Sequence, residues 1–423
     1  MSLSYLDSAE HINNKTVLVR VDYNVPLEKT AGGWQVEDGQ RIEDSFETIA
    51  FLKNLDCRII LMSHLGRPGG EVKPELSLKP AAEFLQAETD WPIKFCPEAA
   101  GNKSQQLVKK LEAGEILLLE NLRFHPGEKK NDSQFSSQLA ELAEVYVNEA
   151  FSTSHRNHAS ITGVPRLLPS YAGFHVKQEI ENLSQLLDDP DHPFVMVIGG
   201  AKISDKVDAV KNLDQVADLV LVGGGVANSF LKAGGIETHK SYIQDKPVDA
   251  NKEDTDYVKV AGDLLEENKT EKVLKDGYIP LPKILYPTDV IAAQNKNSQK
   301  TEVIDLTHDM KDTADDEDLM YLDIGPRTIK LYQEMILQAK TVFWNGPMGV
   351  FEQEQFSHGT DEIARAAAKT SARTILGGGD TIAAIKQFGF KERYDYVSSA
   401  GGASLAFLAG KKLPGLEALK ADQ

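Results

Sequence analysis

The chain has 423 residues, 41% hydrophobic and 26% charged, which is too long for a single core and ordinary for a globular protein of two or three domains. Its 64 acidic and 46 basic residues give a formal net charge of -18, which excludes nonspecific nucleic-acid binding and makes any anion site a local positive island. Cys57 and Cys96 lie far apart and form no zinc pattern, Met-Ser-Leu-Ser-Tyr-Leu-Asp is no signal peptide, and no apolar run approaches the ~20 residues of a membrane span, so a cytoplasmic protein without a membrane partner is expected.

Along the chain, apolar β-branched runs alternate with amphipathic stretches. The runs are Thr16-Val-Leu-Val, Arg58-Ile-Ile-Leu-Met, Ile116-Leu-Leu-Leu, Val145-Tyr-Val, Phe194-Val-Met-Val-Ile, Leu219-Val-Leu-Val, Thr341-Val-Phe-Trp and Arg373-Thr-Ile-Leu. Strands alternating with helical patterns predict βαβ units, hence an α/β fold of two doubly wound domains, each a parallel sheet flanked by helices, with a cleft between them. Residues 1–172 form the first domain. Residues 173–187 read as one amphipathic linker helix, broken by Asp188-Asp-Pro-Asp-His-Pro. The second domain starts at 188, and its polar stretch 240–280 reads as solvated helix and loop.

Basic and polar residues follow the strands of the first half. They are Arg20 with Asp22 and Asn24, then Arg41, then Ser63-His64-Leu-Gly-Arg67, then Glu120-Asn-Leu-Arg123-Phe-His125, then Thr153-Ser-His155-Arg156-Asn-His158. One arginine after a strand is usually a surface ion pair. Several at one topological edge mark a site for phosphate or carboxylate, which the planar guanidinium binds bidentately. Asp22 and Asn24 can accept from substrate hydroxyls. The histidines read equally well as structural hydrogen-bonding residues.

Glycine turns follow the strands of the second half. Met196 to Lys206 reads Met-Val-Ile-Gly-Gly-Ala-Lys-Ile-Ser-Asp-Lys, Leu219 to Asn228 reads Leu-Val-Leu-Val-Gly-Gly-Gly-Val-Ala-Asn, and Thr374 to Ile385 carries Gly377-Gly378-Gly379-Asp380-Thr381. A fourth, Ser398 to Ser404, reads Ser-Ser-Ala-Gly-Gly-Ala-Ser. In a parallel sheet, ligands bind outside the carboxyl ends of the strands, and a helix start there offers free N–H groups to a phosphate. Four such turns predict a nucleotide cradle, with Asp380 as an oxygen ligand for Mg²⁺. No Gly-x-x-x-x-Gly-Lys-[Ser/Thr] occurs, Asn228 and Ile382 stand where a dinucleotide fingerprint needs its third glycine, and the protein-kinase motifs are absent.

Together these segments resemble phosphoglycerate kinase. Arg20-Val-Asp-Tyr-Asn-Val-Pro, Ser63-His-Leu-Gly-Arg-Pro, Glu120-Asn-Leu-Arg-Phe-His, Gly199-Gly-Ala-Lys-Ile-Ser-Asp-Lys, Trp344-Asn-Gly-Pro-Met-Gly-Val-Phe-Glu, Gly377-Gly-Gly-Asp-Thr and the ending Gly-Gly-Ala-Ser-Leu with Leu413-Pro-Gly carry the resemblance. It implies a cytoplasmic, monomeric kinase of glycolysis and gluconeogenesis, which moves a phosphoryl group between 1,3-bisphosphoglycerate and MgADP to give 3-phosphoglycerate and MgATP. It implies that Asp22, Asn24, Arg41, His64, Arg67, Arg123 and Arg156 bind 3-phosphoglycerate. Lys202, Lys206, Asn345, Glu352, Gly377, Gly378, Gly379, Asp380 and Thr381 fall on the nucleotide side, with Asp380 toward Mg²⁺, and Gly223, Gly224 and Gly225 fall in the adenine pocket. It also implies that about 406–423 return to the first domain, which leaves 188–405 for the second.

Some positions depart from the resemblance. Tyr23 stands for Phe, Glu149 for Asp, Ser152 for Gly, and Ser399-Ala400-Gly401-Gly402 for Thr-Gly-Gly-Gly. None removes a charged group. Phosphoryl transfer between polyanions needs positioning and charge stabilisation more than covalent help. Arg41 and Lys202 are the expected clamp on the transition-state charge, assembled by closure about the linker helix. Another carboxylate kinase would show a changed basic cluster, and a non-catalytic binding protein would lack Lys202, Asp380 or Arg41. All are present.

Overall fold

Each of the eight apolar runs is a strand in the computed structural model, which describes residues 3–244, 255–269, 282–307 and 318–420. The chain divides into two compact units, Met1–Glu181 with Lys412–Gln423, and Asn182–Lys411. In the first unit a six-stranded sheet runs in the order Ile93–Cys96, Ile116–Leu119, Arg58–Met62, Thr16–Arg20, Val145–Asn148, Ser170–Ala172. Every neighbouring pair is parallel. Helices cover both faces of such a sheet, so its central strands are buried throughout, as Thr16–Arg20 is, and read as unbroken apolar runs. The two edge strands are half-exposed and lack that signature.

The second unit repeats the plan in the order Ile284–Leu285, Leu219–Val222, Phe194–Ile198, Thr341–Asn345, Arg373–Gly377, Tyr396–Ser398, again wholly parallel. Beside it stands a three-stranded antiparallel sheet, Glu302–Asp305, Asp289–Ala293 and Met320–Ile324, which the sequence pattern did not show. Buried Asp289 opens one of its strands and buried Asp323 interrupts another. The carboxylate of Asp289 accepts from the N–H groups of Arg327 and Thr328 at 3.0 and 2.8 Å, capping the helix Pro326–Gln338. Asp323 accepts from the N–H of Gly359 at 2.7 Å, and burial pushes its carboxyl up to about 8.

The linker helix runs from Phe174 to Asp188 and buries Val176, Ile180, Leu183 and Leu186 on one face. The unit boundary falls inside it, between Glu181 and Asn182. The helix Gly402–Leu408 packs on Val207–Leu213, with Asn212 donating to the Leu408 carbonyl at 2.7 Å. That packing keeps the chain in the second unit as far as Lys411, beyond the expected crossing near 406. Leu413, Leu416 and Leu419 are then buried in the first unit. Within the polar stretch 240–280, Tyr257–Glu267 is a helix, while residues 245–254 and 270–280 lie outside the described residues, as do 421–423.

Glu149 secures the start of the linker helix. One carboxylate oxygen accepts from the Thr48 hydroxyl at 2.8 Å and from the N–H of His175 at 2.9 Å. The other is buried without a partner, in the space that a Cβ on Gly173 would fill. Burial raises its pKa from 4.5 to about 7. A carboxyl whose folded pKa lies above its unfolded value favours folding in its protonated form. Its contribution is therefore full below about pH 4.5 and is lost as pH rises through about 7. Glu149→Gln keeps the accepting oxygen and places a neutral NH₂ where the orphan oxygen sits. We expect the variant to melt higher than the parent at pH 8, by up to about 3 kcal/mol of stability, and at nearly the same temperature at pH 4.5. Calorimetry at the two pH values checks this, and an equal difference at both would mean that Glu149 does not titrate.

Candidate active site

At the carboxyl edge of the first sheet, the chain leaving each central strand carries a polar or basic group. Arg20, the last residue of its strand, is fully buried. Its Nε donates to the Ser160 hydroxyl at 3.0 Å, one Nη donates to the Val21 carbonyl, and Nη2 donates to His64 Nδ1 at 3.0 Å. Ser160 in turn donates to the buried carboxylate of Glu128 at 2.6 Å, which places a negative charge behind the guanidinium. Because His64 Nδ1 accepts from an arginine, Nε2 carries the ring proton. Burial, then the Arg20 charge, holds His64 well below the usual histidine range. Burial and neighbouring arginines bring His155 and His158 to about 4. All three rings are neutral at pH 7, and the positive charge of this edge belongs to its guanidiniums.

Asp22 accepts from Arg41 Nη1 at 3.1 Å and from the Ser152 hydroxyl at 2.5 Å on one oxygen, and from the N–H of Asn24 at 3.2 Å on the other. Burial alone would raise the Asp22 pKa, but the Arg41 charge, the Ser152 bond and the Arg20 charge outweigh it and lower it. Asn24 Oδ1 accepts from the N–H of Gly66 at 2.9 Å, and Arg123 Nη1 donates to the Gly66 carbonyl at 2.8 Å. The 63–67 loop is thus tied to both neighbouring strand ends. The Arg123 Nε is buried without a partner, and burial lowers its guanidinium to about 10, still charged at pH 7. Arg67 and Arg156 are exposed, and their side chains make no protein hydrogen bond or ion pair among the described residues. The arrangement brings all seven expected residues to one sheet edge. Arg20, Glu128 and Ser152 join them. Arg20 was visible as a charge ending an apolar strand and Ser152 as a departure from the resemblance, whereas Glu128 had no signal.

At the carboxyl edge of the second sheet, the turns after Phe194–Ile198, Leu219–Val222 and Thr341–Asn345 pack on one another. The N–H of Gly200 donates to the Pro347 carbonyl at 2.7 Å, and that of Gly224 to the Met348 carbonyl at 2.9 Å. A Cβ on Gly224 would stand 2.9 Å from the backbone of both Gly200 and Pro347, at a φ of +58°. The smallness of Gly223, Gly224 and Gly225 therefore serves contact between turns. The turn after Arg373–Gly377 differs. Gly378 turns the chain at a φ of +98° into the helix Gly379–Gln387, and nothing lies within 4 Å of a Cβ built on Gly379. Gly401 and Gly402, at the next helix start, are equally open. Asn345 is buried, and its Nδ2 faces Gly378 with no hydrogen-bond partner among the described residues.

Thr381 is fully buried and its hydroxyl accepts from the N–H of Gly346 at 2.7 Å, so it holds the Gly346 turn against this helix. Lys202, Glu352 and Asp380 are exposed. Lys206 is largely buried beside Gly200. Burial lowers its pKa, while Asp205 and Asp380 act to raise it. Ala400 is 1% exposed, at an ordinary φ, so its methyl belongs to the core. Both cysteines are buried free thiols, and no described helix is long and apolar enough to cross a membrane.

A family model for phosphoglycerate kinase matches residues 6–411. The phosphoglycerate kinase of Moorella thermoacetica is 45% identical over 408 residues, 96% of this chain and 97% of that one. That of Pseudothermotoga lettingae is 43% identical over 408 residues, 96% of each. The solved structure of phosphoglycerate kinase from Coxiella burnetii superposes with a TM-score of 0.80 at 34% identity and covers 99% of each chain. With two parallel sheets, an arginine-rich edge on one and glycine-turn helix starts on the other, the chain belongs to the phosphoglycerate kinase family, which transfers a phosphoryl group reversibly between 1,3-bisphosphoglycerate and ADP.

Proposed function

We propose a division of labour in which the first unit holds 3-phosphoglycerate or 1,3-bisphosphoglycerate and the second holds the nucleotide. The observation that carries it is the contrast between the two sheet edges. One gathers Arg20, Arg41, Arg67, Arg123 and Arg156 around neutral imidazoles. The other offers open helix starts at Gly379 and Gly402, and the unpartnered Nδ2 of Asn345. Arg67, Arg123 and Arg156 would anchor the substrate's phosphate and carboxylate, while Asp22 and Asn24 accept its hydroxyl. Asn345 and the N–H groups following Gly378 would hold nucleotide phosphates. Lys202, exposed and free of protein hydrogen bonds among the described residues, would join Arg41 on the transferring group. An acyl-phosphate donor needs no general base. Transfer in line requires the two substrates to meet, so hinge closure about Phe174–Asp188, which excludes water from the phosphoryl group, is part of the proposal. The reaction is placed in the cytoplasm, on a monomer.

Among the described residues no group of three His, Cys, Asp or Glu forms a metal cage. Mg²⁺ is usually held by one or two carboxylates plus substrate phosphates, and the exposed Asp380 at a helix start fits that role. Asp380 would hold Mg²⁺, which neutralises charge on the nucleotide phosphates when bound. We expect Asp380→Asn to weaken MgADP binding about tenfold, the scale of one charge-assisted contact, and to leave metal-free ADP binding nearly unchanged. Titration calorimetry with and without Mg²⁺ decides this, and equal losses in both conditions would make Asp380 structural.

A further inference from the structure

We propose that Ser152 is a specificity-determining positioning residue, whose hydroxyl orients the Asp22 carboxylate toward the hydroxyl of 3-phosphoglycerate. The proposal rests on the assignment of Asp22 to the 3-phosphoglycerate site. Asp22 follows the strand Thr16–Arg20 and Ser152 lies in the turn Phe151–Thr153 after Val145–Asn148. The two strands are parallel neighbours, so their exits lie side by side and the short serine side chain reaches the aspartate. The Ser152 hydroxyl donates to Asp22 Oδ2 at 2.5 Å, the oxygen that also accepts from Arg41 at 3.1 Å.

An ionised carboxylate offers about four acceptor positions. Ser152 and Arg41 fill the two on Oδ2, and the N–H of Asn24, at 3.2 Å, fills one on Oδ1. One acceptor remains, on Oδ1, and it has a fixed direction. The terminal torsion of aspartate is broad, so a single contact from Arg41 would let the carboxylate swing. Ser152 removes that freedom and keeps the second Oδ2 position from water or from a misplaced substrate hydroxyl. Its bond, together with the Arg41 charge, also keeps Asp22 ionised despite burial. A carboxylate so held can only accept. It rewards a substrate that brings a hydroxyl, and is left short of a partner by one that does not.

The test uses the full chain and steady-state kinetics. Ser152→Ala should raise KM for 3-phosphoglycerate about tenfold while kcat and KM for ATP stay within about twofold, since one hydrogen bond to a charged group is lost. Ser152→Thr, which keeps the hydroxyl, should restore KM. The 2-deoxy analogue of 3-phosphoglycerate should show the same KM with the parent and with Ser152→Ala, because the effect passes through the missing hydroxyl. Asp22→Asn separates the two layers of the argument. If it leaves KM for 3-phosphoglycerate unchanged, the assignment of Asp22 fails and the proposal with it. If Asp22→Asn raises that KM and Ser152→Ala does not, the role of Ser152 alone is overturned. A Ser152→Ala defect that lowers kcat, raises both KM values and extends to the deoxy analogue would also overturn it, as a general structural loss.

Discussion

Lys202→Ala is expected to lower kcat by roughly 10²–10³, the loss typical of one preorganised donor to a transition state, and to change ADP affinity much less. Lys202 follows the turn at Gly200, whose φ is +86°, and begins the short helical turn Ile203–Asp205. Its side chain is exposed and makes no ion pair or hydrogen bond among the described residues. Nothing in the folded unit therefore depends on it, and its removal should leave the melting temperature unchanged. Lys206 is the internal contrast, since it is largely buried against Gly200 and interacts with Asp205 and Asp380. Its loss would disturb the turn as well as the ligand. Rapid-quench kinetics of the transfer step, alongside ADP titration, check the prediction. A variant with near-parental kcat would remove Lys202 from the chemistry and leave the charge on the transferring group to Arg41.

Arg123→Ala is expected to raise KM for 3-phosphoglycerate about ten- to a hundredfold and to leave KM for ATP nearly unchanged, because one charge-assisted contact is worth about 1.5–3 kcal/mol. The guanidinium is half-buried, with Nη1 on the Gly66 carbonyl and Nε unpartnered. Burial and the nearby Arg20 lower its pKa to about 10, so it is a charged group already partly stripped of water. That desolvation makes an incoming anion a better partner than it would be for an exposed arginine. The same substitution releases the Gly66 carbonyl, and with it part of the anchoring of the loop that carries Arg67. Added salt should weaken 3-phosphoglycerate binding by the parent, since it screens the exposed Arg67 and Arg156 in a chain of net charge -18. Initial-rate kinetics at two ionic strengths measure both effects. If Arg123→Ala instead raised KM for ATP, the assignment of ligands to the two units would be reversed.

The legible parts of the fold were the parts under the tightest local constraint. The central strands are buried on both faces and read as apolar runs, such as Ile116–Leu119 and Phe194–Ile198. The linker helix was legible to within one residue, because Val176, Ile180, Leu183 and Leu186 repeat at helical spacing. The edge strands Ile93–Cys96 and Tyr396–Ser398 were not legible, since they are short and half-exposed. The antiparallel sheet was hidden because Glu302–Asp305 is largely exposed and Asp323, which serves as an acceptor, breaks the apolar run Met320–Ile324.

By itself the sequence determined the α/β class, the split of basic and glycine-rich chemistry between the two halves, and most of the charged residues that gather at the first sheet edge. These follow from patterns within a few residues: strand, exit and turn. Only the tertiary structure decided which of those residues keep a donor or acceptor for a ligand. The Thr381 hydroxyl is spent on the Gly346 turn, Gly223 to Gly225 make room for neighbouring turns, and the rings of His64, His155 and His158 carry no charge. Among the described residues the side chains of Arg67, Arg156 and Lys202 have no hydrogen-bond partner, and neither does the Nδ2 of Asn345. Ser152 and Asp22 are 130 positions apart in the chain and meet because their strands are neighbours in the sheet. Hydrogen-bond capacity is consumed by whatever the fold brings within about 3 Å, and that proximity is set by packing between distant segments rather than by local sequence.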